Sequence, residues 1–303
     1  MKDLITLKDM NSKQIDELLK LAYKVKAKPA AFSKKLAGKT LGLIFQKPSN
    51  RTRVSFEVGI YQLGGYSICL GPDDIKLGVR EATEDIARTL SRYLDIIVAR
   101  TYKHEDIVIL AKNSGIPIIN GLSDLFHPCQ ALADVFTIKE KFKDTSDIKV
   151  AFVGDGNNVL HSLMICCAKT GISMHIATPR GYEPNSLLLE VASTEARKNG
   201  SEIIFTYNKE DALKSADVIY TDVWTSMGSE DEAEKRLEAF KGFQINAKNL
   251  ALGKPGCIVM HCLPAHRGQE ITGEVLDGPN SVVFDQAENR LHVQKAVMLK
   301  LLT

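Results

Sequence analysis

The residues that could do chemistry begin with a short cationic stretch, KPSNRTR, at positions 47–53. The apolar run at 40–45 before it predicts a buried strand, and the helical spacing of Val54, Val58 and Tyr61 after it predicts an amphipathic helix. Backbone N–H groups at a helix start have no partner within the helix and carry partial positive charge. Arginine side chains match the geometry of phosphate and carboxylate oxygens. The stretch therefore predicts an anion site, with a solvated basic turn as the alternative.

Polar residues that could join the same site occur at 100 and at 127–130. Arg100 follows the predicted strand 95–99, and open α/β sheets collect ligand-binding residues at strand ends. In the sequence HPCQ, His127 and Gln130 lie one helical turn apart at a helix start, so both can face one ligand. Taken alone, Arg100 is equally typical of a surface salt bridge, and a single histidine is more often structural.

The second half of the chain offers a different set of groups. DVWTSMG at 222–228 follows a predicted strand and supplies a carboxylate, a hydroxyl and a flexible glycine, and HCLP at 261–264 follows another strand. His261 and Cys262 are neighbours at a strand end and face opposite ways, so they form no ready-made nucleophile–base pair. We expect this half to bind a zwitterion, with amides for its carboxylate and Asp222 for its amine.

The sequence supports neither a nucleotide cofactor nor a metal. GDG at 154–156 begins like a dinucleotide fingerprint, but Val159 occupies the position of the third glycine. Asn157 and Asn158, which follow the turn, suit a polar small molecule better than a pyrophosphate. No P-loop motif occurs, and no trio of histidine, cysteine and carboxylate has zinc-ligand spacing. We therefore expect no cofactor and no metal.

Composition and charge favour an ordinary globular protein of about two domains. The 303 residues are 44% hydrophobic and 25% charged, with a formal net charge of +2. That charge gives no case for a nucleic-acid partner, and no apolar run approaches the roughly 20 residues that span a bilayer. Six cysteines occur without a CxxC pair, and the N-terminus lacks a signal-peptide layout. These features predict a cytoplasmic protein without membrane or nucleic-acid partners.

Predicted strands and helices alternate along the chain, which indicates an α/β fold of mainly parallel sheets covered by helices. A polar loop is predicted at 71–81, a boundary region at 139–147 and a charged stretch at 228–241. The predicted strands are 40–45, 66–70, 95–99, 116–120, 148–153, 174–177, 202–205, 218–221, 257–261 and 282–284. Predicted helices follow residue 11, the 47–53 turn, the 127–130 motif and the 154–158 turn, and span 83–93, 105–114 and 286–302.

The first half thus supplies a cationic, hydroxyl-rich site for a phosphorylated substrate, and the second half supplies a site for a zwitterion. A transferase that joins the two substrates is the natural inference.

Together the motifs resemble the signature elements of the ornithine carbamoyltransferases, within the aspartate/ornithine carbamoyltransferase family. The elements are SNRTR at 49–53, HPCQ at 127–130, DVW with SMG at 222–228, and HCLP at 261–264, in the family's order over nearly the whole chain. The first two are shared in general form with the aspartate enzymes, whereas SMG and HCLP indicate ornithine. The resemblance implies transfer of the carbamoyl group of carbamoyl phosphate to the side-chain amine of L-ornithine, giving L-citrulline and phosphate.

The resemblance also implies a domain arrangement and an assembly. A carbamoyl phosphate-binding domain would span 1–138 and an ornithine-binding domain 139–286. The last helix, within 287–303, would pack back on the first domain. The assembly would be a homotrimer or a multiple of trimers, with active sites between subunits.

Site residues carry over from the family one by one. The catalytic residues would be Thr52, Arg100, His127 and Cys262. Carbamoyl phosphate would be bound by Ser49, Asn50, Arg51, Thr52, Lys76, Arg100, His127, Gln130 and Arg290. L-Ornithine would be bound by Asn158, Asp222, Ser226, Met227, Cys262 and Leu263.

Two positions depart from the family pattern. Asn50 stands where the family commonly has threonine, a change that a backbone N–H contact to phosphate would tolerate. Lys76 stands where many ornithine enzymes have histidine, and it resembles the loop lysine of the aspartate enzymes. Its position implies a reach into the neighbouring subunit's site.

Three alternatives stay open at this point. The first is a sister carbamoyltransferase that acts on aspartate, putrescine or an acylated ornithine. The second is a nicotinamide-dependent dehydrogenase built on the 154–156 turn. The third is a non-catalytic phosphate-binding or regulatory protein.

Overall fold

The computed structural model describes residues 1–225 and 230–303. The chain divides into two compact units: unit 1 comprises Met1–Ala133 and Glu288–Thr303, and unit 2 comprises Asp134–Ala287. Each unit has its own parallel sheet accompanied by helices. This arrangement confirms the predicted fold class.

Unit 1 is organised around a parallel sheet in which two apolar strands are central. Its strands are β1 (Thr40–Phe45), β2 (Tyr66–Leu70), β3 (Ile96–Arg100) and β4 (Ile118–Leu122). The order β2-β1-β3-β4 places β1 and β3 in the middle, and both are almost entirely buried. Strands buried on both faces read as continuous apolar runs, which is why the sequence identified them.

The helices of unit 1 follow its strands in alternation. They are α1 (Ser12–Ala27), α2 (Asn50–Gln62), α3 (Pro72–Ile75), α4 (Thr83–Leu90) and α5 (His104–Asn113), and α6 (Pro128–Lys141) continues into unit 2. The short α3 lies inside the segment 71–81, so that segment is only partly the loop that the sequence predicted.

Helix α2 buries a face other than the one that carries Val54, Val58 and Tyr61. Phe56 and Ile60 are fully buried, whereas Val54, Val58 and Tyr61 are exposed, Tyr61 by 79%. Helical spacing identifies an apolar stripe but does not tell whether the stripe meets the core of its own chain. The predicted helix is confirmed, and the residues that it buries are Phe56 and Ile60 rather than the three whose spacing indicated it.

Unit 2 contains a second, larger parallel sheet. Its strands are β5 (Lys149–Val153), β6 (Ser173–Ala177), β7 (Ile203–Thr206), β8 (Val218–Thr221) and β9 (Ile258–His261), in the order β7-β6-β5-β8-β9. Its helices are α7 (Asn158–Lys169), α8 (Ser186–Lys198), α9 (Lys209–Leu213), α10 (Ala233–Ala239), α11 (Ala247–Leu250) and α12 (Gly273–Leu276). The carboxyl ends of β5, β8 and β9 lie side by side because the strands are parallel neighbours.

The last helix, α13 (Val283–Leu302), passes from unit 2 into unit 1 at Glu288. Beyond that point it packs on unit 1, where the Lys295 ammonium donates to Gln62 Oε1 at 2.8 Å and Lys26 donates to Asn289 Oδ1 at 2.7 Å. Within the described ranges, no helix has the length and apolar character required to cross a membrane.

The predicted strand at 282–284 was wrong. The N–H of Val282 donates to Val259 O at 3.0 Å and Ser281 forms an isolated bridge to Val259, but α13 already begins at Val283. The contacts of Ser281 and Val282 with Val259 therefore do not extend into a strand. Six helices of the described residues were not predicted: α3, α8, α9, α10, α11 and α12. All of them except α8 have at most seven residues, which is too few to show a clear helical period.

Candidate active site

The first cluster of candidate residues starts at the N-terminus of α2. Ser49 has an extended backbone and its Oγ accepts the N–H of Thr52 at 3.3 Å, so it caps the helix. Asn50 is exposed and Arg51 is partly buried in the first turn. The cap fixes the direction in which the helix leaves β1, and with it the position of Thr52.

Arg290 joins residues from three distant parts of the sequence in unit 1. Its Nη1 donates to Gln130 Oε1 at 2.6 Å and its Nη2 donates to Thr52 Oγ1 at 2.8 Å. All three side chains are at most 3% exposed. A planar guanidinium with two donors in fixed geometry holds both partners at once, so Arg290 sets the spacing between α2 and α6 at this point.

Arg100 and His127 complete the cationic cluster, which we define as Arg51, Thr52, Arg100, His127, Gln130 and Arg290. Arg100 is the last residue of β3 and is paired in register with Phe45 at the end of β1. His127 directly precedes α6, and both it and Arg100 are 5% exposed. The carboxyl ends of the two central strands therefore meet the cluster, as in other ligand sites of open α/β sheets.

The electrostatics of this cluster keep His127 neutral. Burial lowers the pKa of His127 well below its usual value of 6.5, and three nearby guanidiniums add to the shift. They belong to Arg290, Arg100 and Arg51. A neutral imidazole among three permanent cations leaves the cluster strongly positive, so it is suited to an anionic ligand.

His127 should make the protein less stable in acid. Below pH 6.5 the unfolded chain binds a proton at this histidine before the folded state does, because the folded pKa is lowered. The free energy of unfolding should therefore fall as the pH drops below 6.5, by at most about 1.4 kcal/mol per pH unit from this group. Urea unfolding at pH 7.5, 6.5 and 5.5 should show a shallower pH dependence in His127→Gln than in the wild type.

The exposed His266 provides the matched control for this prediction. The variant His266→Gln should keep the wild-type pH dependence of unfolding. An unaltered pH dependence in His127→Gln would contradict the neutral state of His127.

Lys76 lies apart from the cationic cluster. It is exposed and has a left-handed backbone with φ of 42° at the end of α3. Its ammonium makes no hydrogen bond or ion pair with any residue in the described part of this chain. The structure of one chain therefore does not bring Lys76 to the other predicted residues.

The second cluster lies in unit 2 and is centred on Asp222, which directly follows β8 and is 4% exposed. Asn157 Nδ2 donates to Asp222 Oδ2 at 2.8 Å, and the Cys262 thiol donates to Asp222 Oδ1 at 2.9 Å. The N–H of Val223 also donates to Oδ1, at 2.8 Å. We call Asn157, Asp222 and Cys262 the carboxylate–thiol cluster. It collects groups from the carboxyl ends of β5, β8 and β9.

His261, the last residue of β9, stabilises the loop that carries Cys262 and Leu263. Its Nδ1 accepts the N–H of Leu263 at 2.8 Å, so the proton is on Nε2, which faces Glu270 Oε1 at 3.1 Å. His261 and Glu270 are both fully buried. Leu263 has a left-handed backbone with φ of 58°, and the hydrogen bond to His261 holds that conformation. His261 thus holds Leu263 in place. A ring nitrogen of His261 lies within 4.8 Å of the Cys262 thiol, so the prediction that the two side chains face opposite ways was wrong.

A metal has an incomplete set of donors here. Ligand atoms of Asp222, His261 and Cys262 lie within 4.8 Å of one another. However, both ring nitrogens of His261 already contact Leu263 and Glu270. Binding a metal would require His261 to give up one of those contacts.

The remaining predicted ornithine-binding residues are placed unevenly. Asn158 is the first residue of α7 and is partly exposed, directly after the capping residue Asn157. Ser226 and Met227 lie outside the described residues. Of the predicted ornithine-binding residues, Asp222 and Cys262 are therefore in direct contact. Leu263 follows Cys262 in the chain.

Four residues around this cluster were missed by the site prediction: Asn157, Asp155, Arg236 and Glu270. Asn157 and Asp155 belong to the GDGNN turn, so their position at a strand end was a usable signal. Arg236 lies in a charged stretch of 228–241 and Glu270 in a polar loop, and neither has a local pattern that marks it. Arg236 contacts Asp155, which is 81 residues away in the sequence. Glu270 contacts His261 only because the loop after β9 folds back on the strand end.

Two family models match nearly the whole chain. The carbamoyl-P binding domain of aspartate/ornithine carbamoyltransferase matches residues 2–140, and the Asp/Orn binding domain matches residues 146–301. The chain belongs to the aspartate/ornithine carbamoyltransferase family. This finding confirms the resemblance inferred from the motifs.

Three similar proteins of the aspartate/ornithine carbamoyltransferase family are named as ornithine carbamoyltransferases. The ornithine carbamoyltransferase of Thermococcus kodakarensis is 52% identical over 299 residues, which cover 98% of this chain and 95% of that one. The enzyme of Bacillus subtilis is 51% identical over 301 residues, covering 99% and 94%. The solved structure of the Pyrococcus furiosus enzyme matches with a TM-score of 0.95 at 50% identity, covering 98% and 96%. These matches favour the ornithine branch over the dehydrogenase and regulatory alternatives.

Proposed function

We propose that this chain transfers the carbamoyl group of carbamoyl phosphate to the side-chain amine of L-ornithine, giving L-citrulline and phosphate. The observation that carries the proposal is the buried cationic cluster, in which Arg290 holds Thr52 and Gln130 beside His127 and Arg100. Such a cluster suits a small dianion with a carbonyl group. Membership of the family supplies the identity of that substrate.

In this proposal, one set of residues binds the phosphate of carbamoyl phosphate and another set binds its carbamoyl group. The backbone at the start of α2, with Ser49, Asn50, Arg51 and Thr52, holds the phosphate, because helix N-termini favour anions. Arg100, His127, Gln130 and Arg290, with Thr52, hold the carbamoyl group. His127, which is neutral, donates a hydrogen bond to the carbonyl oxygen. The positive charges of the arginines stay available to the phosphate.

Transfer proceeds through attack of the neutral amine on the carbonyl carbon. Negative charge builds on the carbonyl oxygen, where Arg100, His127 and Thr52 stabilise it; one such preorganised donor is worth roughly 3–4 kcal/mol. The carbon–oxygen bond to phosphate then breaks, and the leaving phosphate keeps the electron pair beside Arg51. The amine proton leaves to solvent or phosphate, and no covalent enzyme intermediate forms.

Unit 2 supplies the amine substrate in this scheme. Asn158 binds the α-carboxylate, Asp222 with Ser226 and Met227 binds the α-amine, and Cys262 and Leu263 orient the reacting amine. Aspartate would place its second carboxylate beside Cys262, where ornithine has its reacting amine, and the neighbouring Asp222 would repel it. Putrescine lacks the α-carboxylate that Asn158 would bind, and an acylated ornithine lacks the α-ammonium that Asp222 would bind.

Citrulline formation tests the proposed function directly. The purified protein with carbamoyl phosphate should convert L-ornithine to citrulline, and should convert aspartate, putrescine and N-acetylornithine at most slowly. Faster product formation from one of the other three amines would assign the chain to that sister activity. Absence of product with all four would overturn the proposed function.

The rate should depend on the ionisation of the attacking amine. An alkylamine with a pKa of about 10 is only about 0.1% neutral at pH 7. At ornithine concentrations below saturation, the initial rate should therefore rise steeply between pH 7 and 9. A rate that is flat over this range would show that amine deprotonation does not control the reaction.

We also propose a homotrimer, or a multiple of trimers. The exposed apolar residues Val54, Val58 and Tyr61 on α2, with Tyr66 and Ile68 on the edge strand β2, support an interface there. In such an assembly the exposed Lys76 acts in the neighbouring subunit's site.

Light scattering should give the mass of three 33.4 kDa chains or a multiple of it. Mixed trimers of Lys76→Ala and Arg290→Gln chains should regain part of the activity that each variant lacks, since some sites would then be intact.

A cytoplasmic location and a role in arginine biosynthesis complete the proposal. All six cysteines are free thiols, which suits a reducing compartment. The Pyrococcus furiosus relative, 51% identical, is named as an anabolic ornithine carbamoyltransferase. Restored growth without arginine, in a strain that lacks this activity, would support a role in arginine synthesis rather than in citrulline breakdown.

A further inference from the structure

Arg236 connects the two loops that carry the polar residues of unit 2. Its Nη1 donates to Asp155 Oδ2 at 2.7 Å and to the backbone carbonyl of Trp224 at 3.0 Å. Its Nε donates at 3.2 Å to the exposed Glu232, which directly precedes α10. One guanidinium therefore ties the turn after β5 to the segment after β8.

These two loops hold Asn158 and Asp222, the candidate ligands for the α-carboxylate and the α-amine of the substrate. Asp155 is two residues before Asn157, which donates to Asp222, and three before Asn158. Trp224 is two residues after Asp222. Within the described residues, Arg236 contacts neither Asn158 nor Asp222 itself. It acts on the backbone segments that carry them.

The surroundings of the Arg236–Asp155 pair make it a rigid connection. The two side chains are only 13% and 10% exposed, and the guanidinium lies 4.9 Å from the centre of the Tyr182 ring. Phe240 packs between Tyr182 and Trp224, with ring centres 4.9 and 5.6 Å away. Removing one partner of a buried ion pair leaves the other charge without compensation, so this connection is costly to break.

The turn that Asp155 belongs to has little freedom to adjust. A side chain at Gly156 would collide with the backbone of Glu183 and Pro184, and the N–H of Gly156 donates to Tyr182 O at 2.9 Å. Asn157 in turn caps α7 by accepting the N–H groups of Val159 and Leu160. A shift of Asp155 would therefore move the following asparagines as a unit.

We propose that Arg236 and Asp155 are positioning residues for the amine substrate, because they hold the loop of Asn158 and the loop of Asp222 at the separation that ornithine requires. The inference rests on the proposed function, in which Asn158 binds the α-carboxylate of ornithine and Asp222 binds its α-amine. Arg236 touches no reacting atom in this scheme. Its effect should appear in ornithine affinity rather than in the binding of carbamoyl phosphate.

The test compares both substrates in variants that break the pair conservatively. Arg236→Lys keeps the charge but has no planar fork to reach two acceptors, and Asp155→Asn keeps the shape but removes the charge. Each should raise the KM for ornithine by roughly tenfold to a hundredfold, the range expected when substrate groups are misplaced by a fraction of an ångström to an ångström. The KM for carbamoyl phosphate should change by less than about twofold, because that site lies on other elements.

A double variant separates a shared role from two unrelated defects. Because the residues act through one contact, Arg236→Lys with Asp155→Asn should raise the KM for ornithine by less than the product of the two single effects. The matched control is Arg267→Gln, which breaks an exposed arginine–aspartate pair with Asp277 in the same unit and should leave both KM values unchanged. Trp224 is the only tryptophan and is 5% exposed, so its emission reports whether the variants keep this region folded.

Each outcome bears on the inference separately from the proposed function. A KM for ornithine within twofold of the wild type in both single variants would overturn the inference, and so would equal rises in both KM values. If an Arg236 variant loses its buried tryptophan emission, the shape-preserving Asp155→Asn decides. A wild-type protein that forms no citrulline would instead overturn the proposed function.

Discussion

Replacing Arg290 with glutamine is expected to lower kcat/KM for carbamoyl phosphate by about a hundredfold to a thousandfold, the loss typical of removing one preorganised cationic donor. The guanidinium of Arg290 is 3% exposed and holds Gln130 and Thr52 with two separate donors. Glutamine removes the charge and cannot bridge both partners. Steady-state rates of citrulline formation at varied carbamoyl phosphate would measure the change.

Two further variants sharpen the Arg290 prediction. Arg290→Lys keeps the positive charge but has no planar fork, so it should recover only part of the loss. Arg88 provides the control, because it is an exposed arginine of unit 1 that pairs with Asp85 on α4. Arg88→Gln should leave the kinetics unchanged. Normal saturation by carbamoyl phosphate in Arg290→Gln would contradict the assignment of the cationic cluster.

Replacing Asp222 with asparagine is expected to have a comparable effect on the other substrate. Asp222 is 4% exposed and accepts hydrogen bonds from Asn157 and Cys262 through its two oxygens. Asparagine keeps the shape and one acceptor but removes the charge that would pair with an ammonium group. Losing one partner of a buried charge pair typically costs 2–5 kcal/mol, so kcat/KM for ornithine should fall by at least about thirtyfold.

The binding of carbamoyl phosphate should survive this substitution. Stabilisation of Asp222→Asn against heat by carbamoyl phosphate should match that of the wild type, since the cationic cluster lies in unit 1. The control variant Asp277→Asn removes an exposed carboxylate paired with Arg267 and should behave as the wild type with both substrates. Unchanged kcat/KM for ornithine in Asp222→Asn would remove Asp222 from the amine site.

Much of the fold could be predicted from local patterns. The central strands β1, β3, β5 and β8 are apolar runs of four to six residues, and the alternation of strand and helix indicated parallel sheets. Local patterns failed where burial depends on distant partners. The segment 282–284 has strand-like residues, but the bridge to Val259 is formed by the preceding Ser281 and α13 already begins at Val283.

The composition of the two clusters could be predicted only in part. The motifs identified Thr52, His127 and Gln130 as residues that open helices, and their backbone positions agree with that reading. Nothing local connects them to Arg290, which is 238 residues from Thr52 along the chain. The hydrogen bonds of Arg290 exist only because α13 returns to unit 1.

The sequence by itself determined the family, the two parallel α/β sheets and most of the side chains that could bind an anion and an amine. These features follow from residue type, spacing and turn chemistry, which act over a few residues. Only the tertiary structure decided that Arg290 holds Thr52 and Gln130, that Asn157 rather than Asn158 contacts Asp222, and that Arg236 ties two loops together. Such contacts join residues far apart in the chain, and packing rather than local propensity determines which of them form.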